Sequence, residues 1–512
     1  MTIILSGKYI DGELQFLFGR IPPVLLPLKN KELLHYQLEL LKGHTDLFIT
    51  LPNEYNPSKD IKALLTRYNV NVIKTGAHLS LLQVLLFVAD NYIKRQDESM
   101  QILFGDTYFS AVPAIEDGVA VVSKYVNYKW EYVNAYNNDN LLAIAGFFVF
   151  KHVKLLKSLL NNLKTFEDLV NKYCKGTNCT LLNCDDIWYD LGHYNTYFQT
   201  KKNYTTERSF NNLTIQKETV IKTGTNISKI ASETFWFKNI PPALKINTPV
   251  FINDGIFDNG EAWYEMEHVY LPTLSELLVF GNQSSLFWKY VVESISIFVD
   301  KMLCQHNTDE DTLIEFYISK NKARFEELEK LELFDLDIEW TVNGVKLPTV
   351  RNIYTELSVL ISNNKVNKGI VHGDLCFSNI FYDNKSNLVK VIDPRGGNWE
   401  QNGLSIYGDL NYDIAKLLHS ILGCYDFIMA GKYRLDITGD NIDFEVYTNE
   451  NQCILEKLIF EEGRISQIAV KENIPLMISL FISMIPLHSD DKERQKALLA
   501  NALYLYAKYL KR

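Results

Sequence analysis

Three polar residues in the second half of the chain have the types and the spacing that phosphoryl transfer requires. Asp374 ends a His-Gly-Asp turn that begins at His372. Asn379 follows five positions later, and Asp393 comes directly after an apolar segment. Phosphoryl transfer needs an acceptor hydroxyl held in line and a metal ion that holds the donor phosphates. Asp374 is suited to accept or orient the hydroxyl proton, while Asn379 and Asp393 offer the oxygen ligands that Mg²⁺ prefers.

Two short apolar segments between these residues predict a β-hairpin. Residues 379–382 and 388–392 have the composition of strands, and residues 383–387 have the composition of a turn. A hairpin of this length brings Asn379 and Asp393 back to the same end, where they would form one metal site. The alternative is that the motif is two ordinary turns with Asn379 at a strand edge.

The motif at 372–379, together with Ile-Asp at 392–393, resembles the catalytic loop and metal site of the aminoglycoside phosphotransferase and choline kinase superfamily. The resemblance implies a bilobal, protein-kinase-like fold that uses ATP and Mg²⁺. It implies a catalytic loop with His372 and Asp374 as catalytic residues, Asp374 being the base. It also implies that Asn379 and Asp393 are the magnesium ligands.

The acceptor of this superfamily lies between the catalytic loop and the C-terminal helices. The resemblance therefore implies substrate contacts from Arg395, Trp399, Tyr407 and Asp409. Arg395 stands where many relatives have a second acid, which suggests a cation facing phosphate or an acidic substrate. Asp413 resembles the acid that braces the catalytic loop, although an acid at a helix start also offsets the helix dipole.

The segment before this motif has the features of a kinase small lobe. Residues 213–216 and 219–222 alternate as strands do, and residues 227–237 have helical periodicity. A small lobe needs a strand lysine near the nucleotide phosphates, held by a helix glutamate. Lys222 and Glu233 fit these roles, with Lys217 and Lys229 as alternatives to the lysine.

A hinge between the lobes is expected at residues 261–270, where backbone groups around Glu267 and Val269 would bind adenine. An ordinary strand, turn and helix would have the same pattern. From residue 275 onward the pattern is mainly helical, with amphipathic segments at 286–302, 313–333 and 350–362.

The first two hundred residues alternate between strand and helix patterns, which indicates a doubly wound α/β sheet. Ligands of such sheets bind at the carboxyl ends of strands, and Asp106 falls at the end of one. Predicted strands cover 46–51, 70–73 and 101–104, and predicted helices cover 33–41, 58–68 and 79–92.

Phe-Gly-Asp at 104–106 and Trp-x-Asp-x-Gly at 188–192 resemble the metal-site motifs of sugar-1-phosphate nucleotidyltransferases. The resemblance implies that Asp106 and Asp190 hold the Mg²⁺ at which a phosphate attacks the α-phosphorus of CTP or another NTP. Lys8 is the cation nearest the expected triphosphate loop.

The opening loop departs from the nucleotidyltransferase pattern. Its glycines, Gly7 and Gly12, are far apart, and Pro22-Pro23 stands where the family has Pro-Lys. Arg20 is a possible substitute cation. The alternative is a degenerate domain that binds nucleotide or sugar without catalysis.

The chain of 512 residues is expected to contain a nucleotidyltransferase-like domain at 1–203, a kinase small lobe at 204–275 and a mainly helical large lobe at 276–512, with a linker at 200–212.

The formal net charge of the chain, −10, argues against nucleic acid as a partner. Seven scattered cysteines suggest reduced thiols. The apolar segments are too short for membrane insertion. We therefore expect a cytoplasmic protein. The sequence does not determine whether it is a monomer or an oligomer.

A kinase makes a phosphorylated small molecule and a nucleotidyltransferase consumes one. The expected function is therefore phosphorylation of a small sugar, polyol or amino alcohol, followed by its activation as an NDP derivative. Such pairs resemble those of capsule or lipopolysaccharide precursor pathways. The alternatives are a non-catalytic nucleotide- or sugar-binding regulatory or assembly protein, and a kinase with a degenerate N-terminal domain. A third possible function, modification of an antibiotic, would leave the first domain without a role.

Overall fold

Strands and helices alternate through the first two hundred residues, and a second, larger set of elements follows. The computed structural model describes residues 1–93, 99–123, 130–134, 141–203, 211–304, 310–397 and 404–511. The chain divides into two units, Met1–Thr205 and Thr206–Arg512. Among the described residues, no helix combines the length and apolar character needed to cross a membrane.

The first unit is built from short strands and seven helices within its described residues. Its strands are β1 (Thr2–Leu5), β2 (Pro27–Leu28), β3 (Lys31–Glu32), β4 (Leu47–Pro52), β5 (Val70–Thr75), β6 (Met100–Phe104), β7 (Thr107–Phe109), β8 (Gly118–Val122), β9 (Tyr132–Asn134), β10 (Leu141–Phe150), β11 (Thr180–Asn183) and β12 (Trp188–Asp190). Its helices are α1 (Gly12–Phe18), α2 (Leu33–Leu40), α3 (Lys59–Arg67), α4 (Leu81–Tyr92), α5 (Val153–Leu160), α6 (Phe166–Thr177) and α7 (Tyr194–Asn203).

The main sheet of the first unit has the strand order β11-β8-β10-β6-β1-β4-β5, with β9 beside β10. Strand β1 is parallel to both β4 and β6, so that Leu5 lies opposite Thr50 and Phe104. Strand β10 is antiparallel to β6 and β8. The predicted α/β class is confirmed, with a mixed sheet. Because β1 and β6 end side by side, the residues that follow them, Gly7 and Asp106, belong to one sheet edge.

Helix α4 illustrates how the local sequence produces a helix that packs on the main sheet. Ser80 accepts the backbone N–H of Gln83, and the Gln83 side chain accepts the N–H of Ser80, which is a capping box. Leu85 and Val88 are buried at helical spacing and pack with Ile3 of β1 in the core.

The second unit begins with a sheet and continues mainly as helices. Within its described residues the strands are β13 (Asn211–Ile215), β14 (Thr219–Gly224), β15 (Phe251–Ile256), β16 (Ala262–Glu267), β17 (Glu339–Val342), β18 (Val345–Thr349), β19 (Lys368–Ile370), β20 (Ile380–Asp383), β21 (Leu388–Val391), β22 (Tyr407–Asp409), β23 (Tyr433–Thr438), β24 (Asn441–Val446), β25 (Arg464–Ile465) and β26 (Ile468–Ala469). The helices are α8 (Ile227–Asn239), α9 (Pro242–Lys245), α10 (Leu274–Phe280), α11 (Ser285–Met302), α12 (Glu310–Lys330), α13 (Val350–Ser362), α14 (Asn411–Ile421), α15 (Tyr425–Met429), α16 (Glu450–Glu462), α17 (Ile474–Met484) and α18 (Lys492–Tyr509). Short 3₁₀ helices are found at Pro23–Leu25 in the first unit and at Phe377–Asn379, Lys471–Asn473 and Ile485–His488 in the second.

The second unit has the bilobal α+β architecture that the sequence predicts. Its small lobe is the antiparallel sheet β13-β14-β16-β15 with helix α8. Its large lobe holds the helices from α10 onward and the hairpin β20–β21. Here α17 contacts both α12 and α14. The fold class expected for both halves of the chain is thus confirmed.

Two sequence expectations about local structure are wrong, and one region holds an element that the sequence interpretation did not include. The stretch 200–212 is not all linker, because α7 extends to Asn203 and β13 begins at Asn211. The large lobe, which is expected to be mainly helical, also contains the four-stranded sheet β18-β17-β24-β23. Not all cysteines are free: Asn178 adopts a left-handed conformation after α6 and turns the chain back, so that Cys179 forms a disulfide with Cys174.

Candidate active site

The His-Gly-Asp turn is held in place by an acid on the first turn of α14. The two carboxylate oxygens of Asp413 accept the backbone N–H groups of His372 at 2.6 Å and Gly373 at 2.8 Å. Gly373 has a positive φ of 79°, and a Cβ there would lie 2.6 Å from the carbonyl oxygen of Gly396. Only glycine fits this turn. Asp413 therefore holds the turn through two backbone hydrogen bonds.

His372 holds the loop from within rather than facing a substrate. Its ring is fully buried. Nε2 lies 3.0 Å from the carbonyl oxygen of Ile392, and Nδ1 accepts the N–H of Asp374 at 3.3 Å. Burial lowers the pKa of His372 to about 4, so the ring is neutral at ordinary pH. His372 is not among the described lining residues of the main cavity, and its part in catalysis stays a prediction.

Asp374 faces a cavity of about 500 Å³, called the main cavity here, which is lined by both lobes of the second unit. Lys416 of α14 places its Nζ 3.1 Å from Asp374 Oδ1. Burial alone raises the pKa of Asp374, but the charges of Lys416 and Arg395 outweigh burial and hold that pKa well below its usual range. Asp374 is therefore an ionised carboxylate. The sequence interpretation missed Lys416, whose only local signal is its position three residues after Asp413.

The hairpin brings the two expected metal ligands to the same end. Ile380 pairs with Val391, and the N–H of Ile392 donates to the carbonyl oxygen of Asn379 at 3.0 Å. Asn379 Nδ2 donates to the carbonyl oxygen of Asp374 at 2.9 Å, which fixes the orientation of the side-chain amide. Asn379 and Asp393 both line the main cavity.

Lys222 joins the small lobe to the metal-site end of the hairpin. Its Nζ lies 2.7 Å from Glu233 Oε2 and 2.8 Å from Asp393 Oδ1. Tyr264 donates its hydroxyl to Glu233 at 2.9 Å. Burial alone lowers the pKa of Lys222, but the carboxylates of Asp393 and Glu233 outweigh burial, and the pKa lies above its usual value. Of the three lysines considered from the sequence, Lys222 is the one that pairs with Glu233.

Arg395 also lines the main cavity, but its guanidinium forms an ion pair with the second oxygen of Glu233. Its backbone carbonyl accepts the hydroxyl of Ser232 at 2.6 Å. Helix α8 is thus fastened to the segment after the hairpin at two points. Arg395 is the only expected substrate residue of the four that the described part of the chain places in this cavity.

Two other expected substrate residues, Tyr407 and Asp409, lie outside the main cavity. Tyr407 is exposed on β22 and does not line the main cavity. Asp409 is buried, and its oxygens accept the N–H of Asn367 and the hydroxyl of Tyr317, each at 3.0 Å. These hydrogen bonds hold β22 in place, and they engage both carboxylate oxygens within the protein. Trp399 lies outside the described residues.

Glu267 and its neighbour His268 take part in strand and turn contacts. The N–H of Glu267 donates to Val250 at 2.9 Å, and the Glu267 carboxylate lies 3.3 Å from Lys390 Nζ. The next amide, of His268, donates to Glu218 at 2.8 Å. Among the described lining residues of the main cavity, neither Glu267 nor Val269 occurs. The structure thus does not bring the expected adenine contacts into this cavity.

The first unit has a smaller cavity at the carboxyl ends of its parallel strands, called the strand-end cavity. It measures about 250 Å³, and Gly7, Lys8 and Asp106 are among its lining residues. Gly7 packs tightly, since a Cβ there would lie 2.3 Å from the Thr75 hydroxyl. Arg20 does not line it: its guanidinium stacks 4.2 Å from the Tyr9 ring centroid.

The two expected metal acids of the first unit interact electrostatically. Burial, and then the negative charge of Asp190, raise the pKa of Asp106 to about 6. Asp190 Oδ2 lies 2.8 Å from His193 Nδ1 and also accepts the hydroxyl of Thr196, and Oδ1 accepts the N–H of Gly192 at 3.3 Å. Two repelling carboxylates suit a divalent cation. To bind such a cation, Asp190 would have to give up hydrogen bonds to its neighbours His193, Thr196 and Gly192.

Among the described residues, no group of three or more His, Cys, Asp or Glu is arranged to hold a metal ion. The donors of the main cavity fit Mg²⁺ nevertheless, because this ion usually takes one or two protein oxygens and completes its shell with water and substrate phosphates. Asp393 and Asn379 supply one carboxylate and one amide oxygen.

No protein-family model and no curated protein matches the chain. Solved structures resemble each half. A thermostable mutant of an aminoglycoside phosphotransferase is 12% identical over 60% of this chain and 94% of its own, with a TM-score of 0.40. A candidate glucose-1-phosphate thymidylyltransferase from Bacillus anthracis is 18% identical over 39% of this chain and 93% of its own, with a TM-score of 0.32. An inositol-1-phosphate CTP transferase from T. maritima is 15% identical over 39% of this chain and 94% of its own, with a TM-score of 0.30.

Proposed function

We propose that the second unit transfers the γ-phosphoryl group of ATP to a hydroxyl group of a small molecule. The observation that carries this proposal is the placement of Lys222 Nζ between Glu233 and Asp393, at 2.7 Å and 2.8 Å. Asp374 lines the same cavity. A lysine held by a helix glutamate beside a metal acid and a separate catalytic carboxylate is the set of parts that phosphoryl transfer uses.

Each residue has a defined role in this reaction. Asp374 orients the acceptor hydroxyl and accepts its proton, and Lys222 contacts the nucleotide phosphates. Asn379 and Asp393 hold Mg²⁺, which neutralises phosphate charge when it is bound. Because the transition state of phosphoryl transfer is loose, a weakly basic carboxylate is sufficient, and its main contribution is to orient the nucleophile.

We propose further that the first unit binds CTP or another NTP and activates the phosphorylated product as an NDP derivative. Asp106 and Lys8 at the strand-end cavity support this. The product would be a small sugar, polyol or amino-alcohol phosphate, of the type that surface-polysaccharide assembly consumes. A first unit that only binds nucleotide is the competing proposal, and the local hydrogen bonds of Asp190 favour it.

The test of the kinase proposal is ADP formation from ATP and Mg²⁺ with a panel of candidate alcohols. We expect acceptor-dependent ADP formation that Asp374→Asn reduces by about 10²- to 10⁴-fold, the usual contribution of a positioned general base. Asp383→Asn is the matched control, because Asp383 lies at the turn of the same hairpin, away from the metal-site end. ADP formation that survives Asp374→Asn contradicts the assignment. Nucleotide binding without turnover across the panel favours a regulatory binding protein.

A further inference from the structure

Arg395 follows the metal acid by two residues, and the backbone of the catalytic loop positions it. Asp393 adopts a left-handed conformation, with φ of 60°. The chain then returns to the His-Gly-Asp turn, where the N–H of Arg395 donates to the carbonyl oxygen of His372 at 2.6 Å. A Cβ on Gly373 would lie 2.9 Å from the Cβ of Arg395. The Arg395 side chain therefore starts directly against the loop that carries Asp374.

The guanidinium of Arg395 lies within reach of three acids. Its Nη1 forms an ion pair with Glu233, and Arg395 lines the main cavity together with Asp374 and Asp393. Burial alone lowers the pKa of Arg395, but the negative charges of these three carboxylates outweigh burial and raise that pKa above its usual value. The guanidinium is thus close to both the expected base and the expected metal acid.

Glu233 holds two cations at once. Its Oε2 lies 2.7 Å from Lys222 Nζ, and its Oε1 pairs with Arg395. In phosphoryl transfer, the ion pair with a helix glutamate is what directs the strand lysine to the nucleotide phosphates, so such a pair does not exclude a phosphate contact. Arg395 is held in the same way.

The guanidinium also has donors to spare. It carries five N–H groups in a planar fork, and the pair with Glu233 uses Nη1. No other described residue accepts a hydrogen bond from the Arg395 side chain. The remaining N–H groups suit the oxygens of a phosphoryl group, which a guanidinium binds at two points.

The donors of the main cavity suit one divalent cation better than two. Its described lining residues include two carboxylates, Asp374 and Asp393. Asp374 faces Lys416 Nζ at 3.1 Å and is expected to orient the acceptor. Asp393 and the amide of Asn379 then hold one Mg²⁺, and a second ion beside them would be repelled by the guanidinium. Charge that develops on the transferred group needs another cation, and Arg395 is in place to supply it.

We infer that Arg395 is a catalytic residue that binds the γ-phosphoryl group during transfer, in the place of the second divalent cation of two-metal phosphoryl transfer. This inference rests on the proposed kinase function and adds a residue to it. A bond forms between the acceptor oxygen and the γ-phosphorus, and the bond from that phosphorus to the β,γ-bridging oxygen breaks. The hydroxyl proton goes to Asp374, and the electron pair of the broken bond leaves with ADP.

Counting bound metal ions tests the inference without turnover. The full chain is saturated with a non-hydrolysable ATP analogue and titrated with Mn²⁺, a paramagnetic substitute for Mg²⁺, whose free fraction is measured by electron paramagnetic resonance. We expect Arg395→Asp to bind one Mn²⁺ more per chain than the wild type, because a carboxylate replaces the cation. An ion held by the first unit contributes equally to both proteins. Arg395→Asn, which lacks the carboxylate, is the matched control. Equal counts in the wild type and Arg395→Asp overturn the inference.

The Mg²⁺ dependence of the wild type is a second test, which needs no variant. At saturating MgATP, the rate of ADP formation is expected to be independent of free Mg²⁺, since no second ion takes part. A rate that rises with free Mg²⁺ overturns the inference and leaves the kinase proposal intact. Absence of Asp374-dependent ADP formation overturns the kinase proposal and the inference with it.

Variants separate a phosphate contact from a purely structural role of Arg395. Arg395→Gln is expected to lower kcat by about 10²- to 10³-fold, the usual effect of losing a donor to developing charge, and Arg395→Lys to lower it less. Ser232→Ala is the control, because the Ser232 hydroxyl fastens α8 to the Arg395 carbonyl at 2.6 Å without involving the guanidinium. A loss of kcat in Ser232→Ala as large as that in Arg395→Gln would show that Arg395 acts by holding the helix, and would overturn the inference.

Discussion

Lys416 determines the state in which Asp374 works. Its ammonium group lies 3.1 Å from the Asp374 carboxylate and, with Arg395, keeps that carboxylate ionised despite burial. A carboxylate held in this way is a poor base in the ground state. It can still fix the direction of the acceptor hydroxyl and take its proton late in the reaction.

Replacing Lys416 tests this dependence. We expect Lys416→Met to lower kcat by about 10- to 100-fold, because one cation next to the reacting oxygens is lost and the half-buried Asp374 is left with Arg395 as its nearby cation. The KM of ATP is expected to stay unchanged, since Lys416 lies on the acceptor side. Lys457→Met, at an exposed lysine of α16, is the control in the same steady-state assay. A kcat equal to that of the wild type would remove Lys416 from the mechanism.

Replacing Lys222 is expected to change both the stability and the activity of the protein. Lys222→Met leaves the buried Glu233 and the partly exposed Asp393 with one fewer cation. Breaking the buried pair of Lys222 and Glu233 costs about 3–5 kcal/mol of the free energy of unfolding. Loss of the phosphate contact should also lower kcat/KM for ATP by about 10²-fold or more. Denaturant unfolding and initial rates measure the two effects.

Lys217→Met is the matched control for Lys222, because Lys217 is one of the alternatives to the strand lysine that the sequence offers. Lys217 is exposed in the turn between β13 and β14, and its backbone carbonyl, rather than its side chain, accepts the Tyr270 hydroxyl. We expect neither stability nor activity to change. A larger loss at Lys217 than at Lys222 would reverse the assignment of the strand lysine.

At the scale of elements, the N-terminus of α14 positions the catalytic loop through a titrating group. Burial raises the pKa of Asp413 to about 7, even though the N–H groups of His372 and Gly373 stabilise its charged form. Above this pKa both carboxylate oxygens accept a backbone N–H. As pH falls through it, one oxygen becomes a hydroxyl, and one of these acceptors is lost.

Activity is therefore expected to fall with an acid limb near pH 7. Because the folded-state pKa is raised, the protonated form dominates below about pH 7 and the active, ionised form above it. Asp413→Asn should lower the rate at high pH by about tenfold and remove this limb, since an amide offers one acceptor oxygen. Rates between about pH 6 and pH 9 measure both effects. A limb that persists in Asp413→Asn must come from another group.

The elements also show what the sequence can and cannot predict. The hairpin β20–β21 and the pair of β14 with α8 follow from local periodicity and turn composition, so that Asp374, Asn379, Asp393, Lys222 and Glu233 could be found in advance. Other residues that line the main cavity come from α12 and α14, which are far apart in sequence and both pack against α17, so local pattern does not bring them together: Lys416, Lys320, Arg324 and His419. The sheet β18-β17-β24-β23 was missed because 83 residues separate its two hairpins, from Thr349 to Tyr433, so no local pattern joins them.

At the scale of the whole molecule, the two units have separate candidate sites. The strand-end cavity is lined by residues of the first unit, and the main cavity by residues of the second. No described lining residue is shared between them. A substitution in one site should therefore leave the chemistry of the other intact.

Paired substitutions test this independence. Asp106→Asn is expected to weaken NTP binding or abolish nucleotidyl transfer by the first unit while acceptor-dependent ADP formation stays at the wild-type rate. Asp374→Asn should have the opposite effect. Nucleotide release assays with CTP and the other NTPs, run beside the ATP assay, measure both. Loss of ADP formation in Asp106→Asn would show that the two sites depend on each other.

The central claim is that the second unit moves a phosphoryl group with Asp374 as the residue that orients the acceptor. A single-turnover experiment with ATP labelled at its γ-phosphorus tests it most directly, by following the label into the small-molecule product. We predict that the wild type transfers the label, and that Asp374→Asn binds ATP equally well but transfers it at least about 10²-fold more slowly. Transfer at the wild-type rate by Asp374→Asn, or bound ATP whose label never reaches any acceptor in the wild type, would contradict the claim.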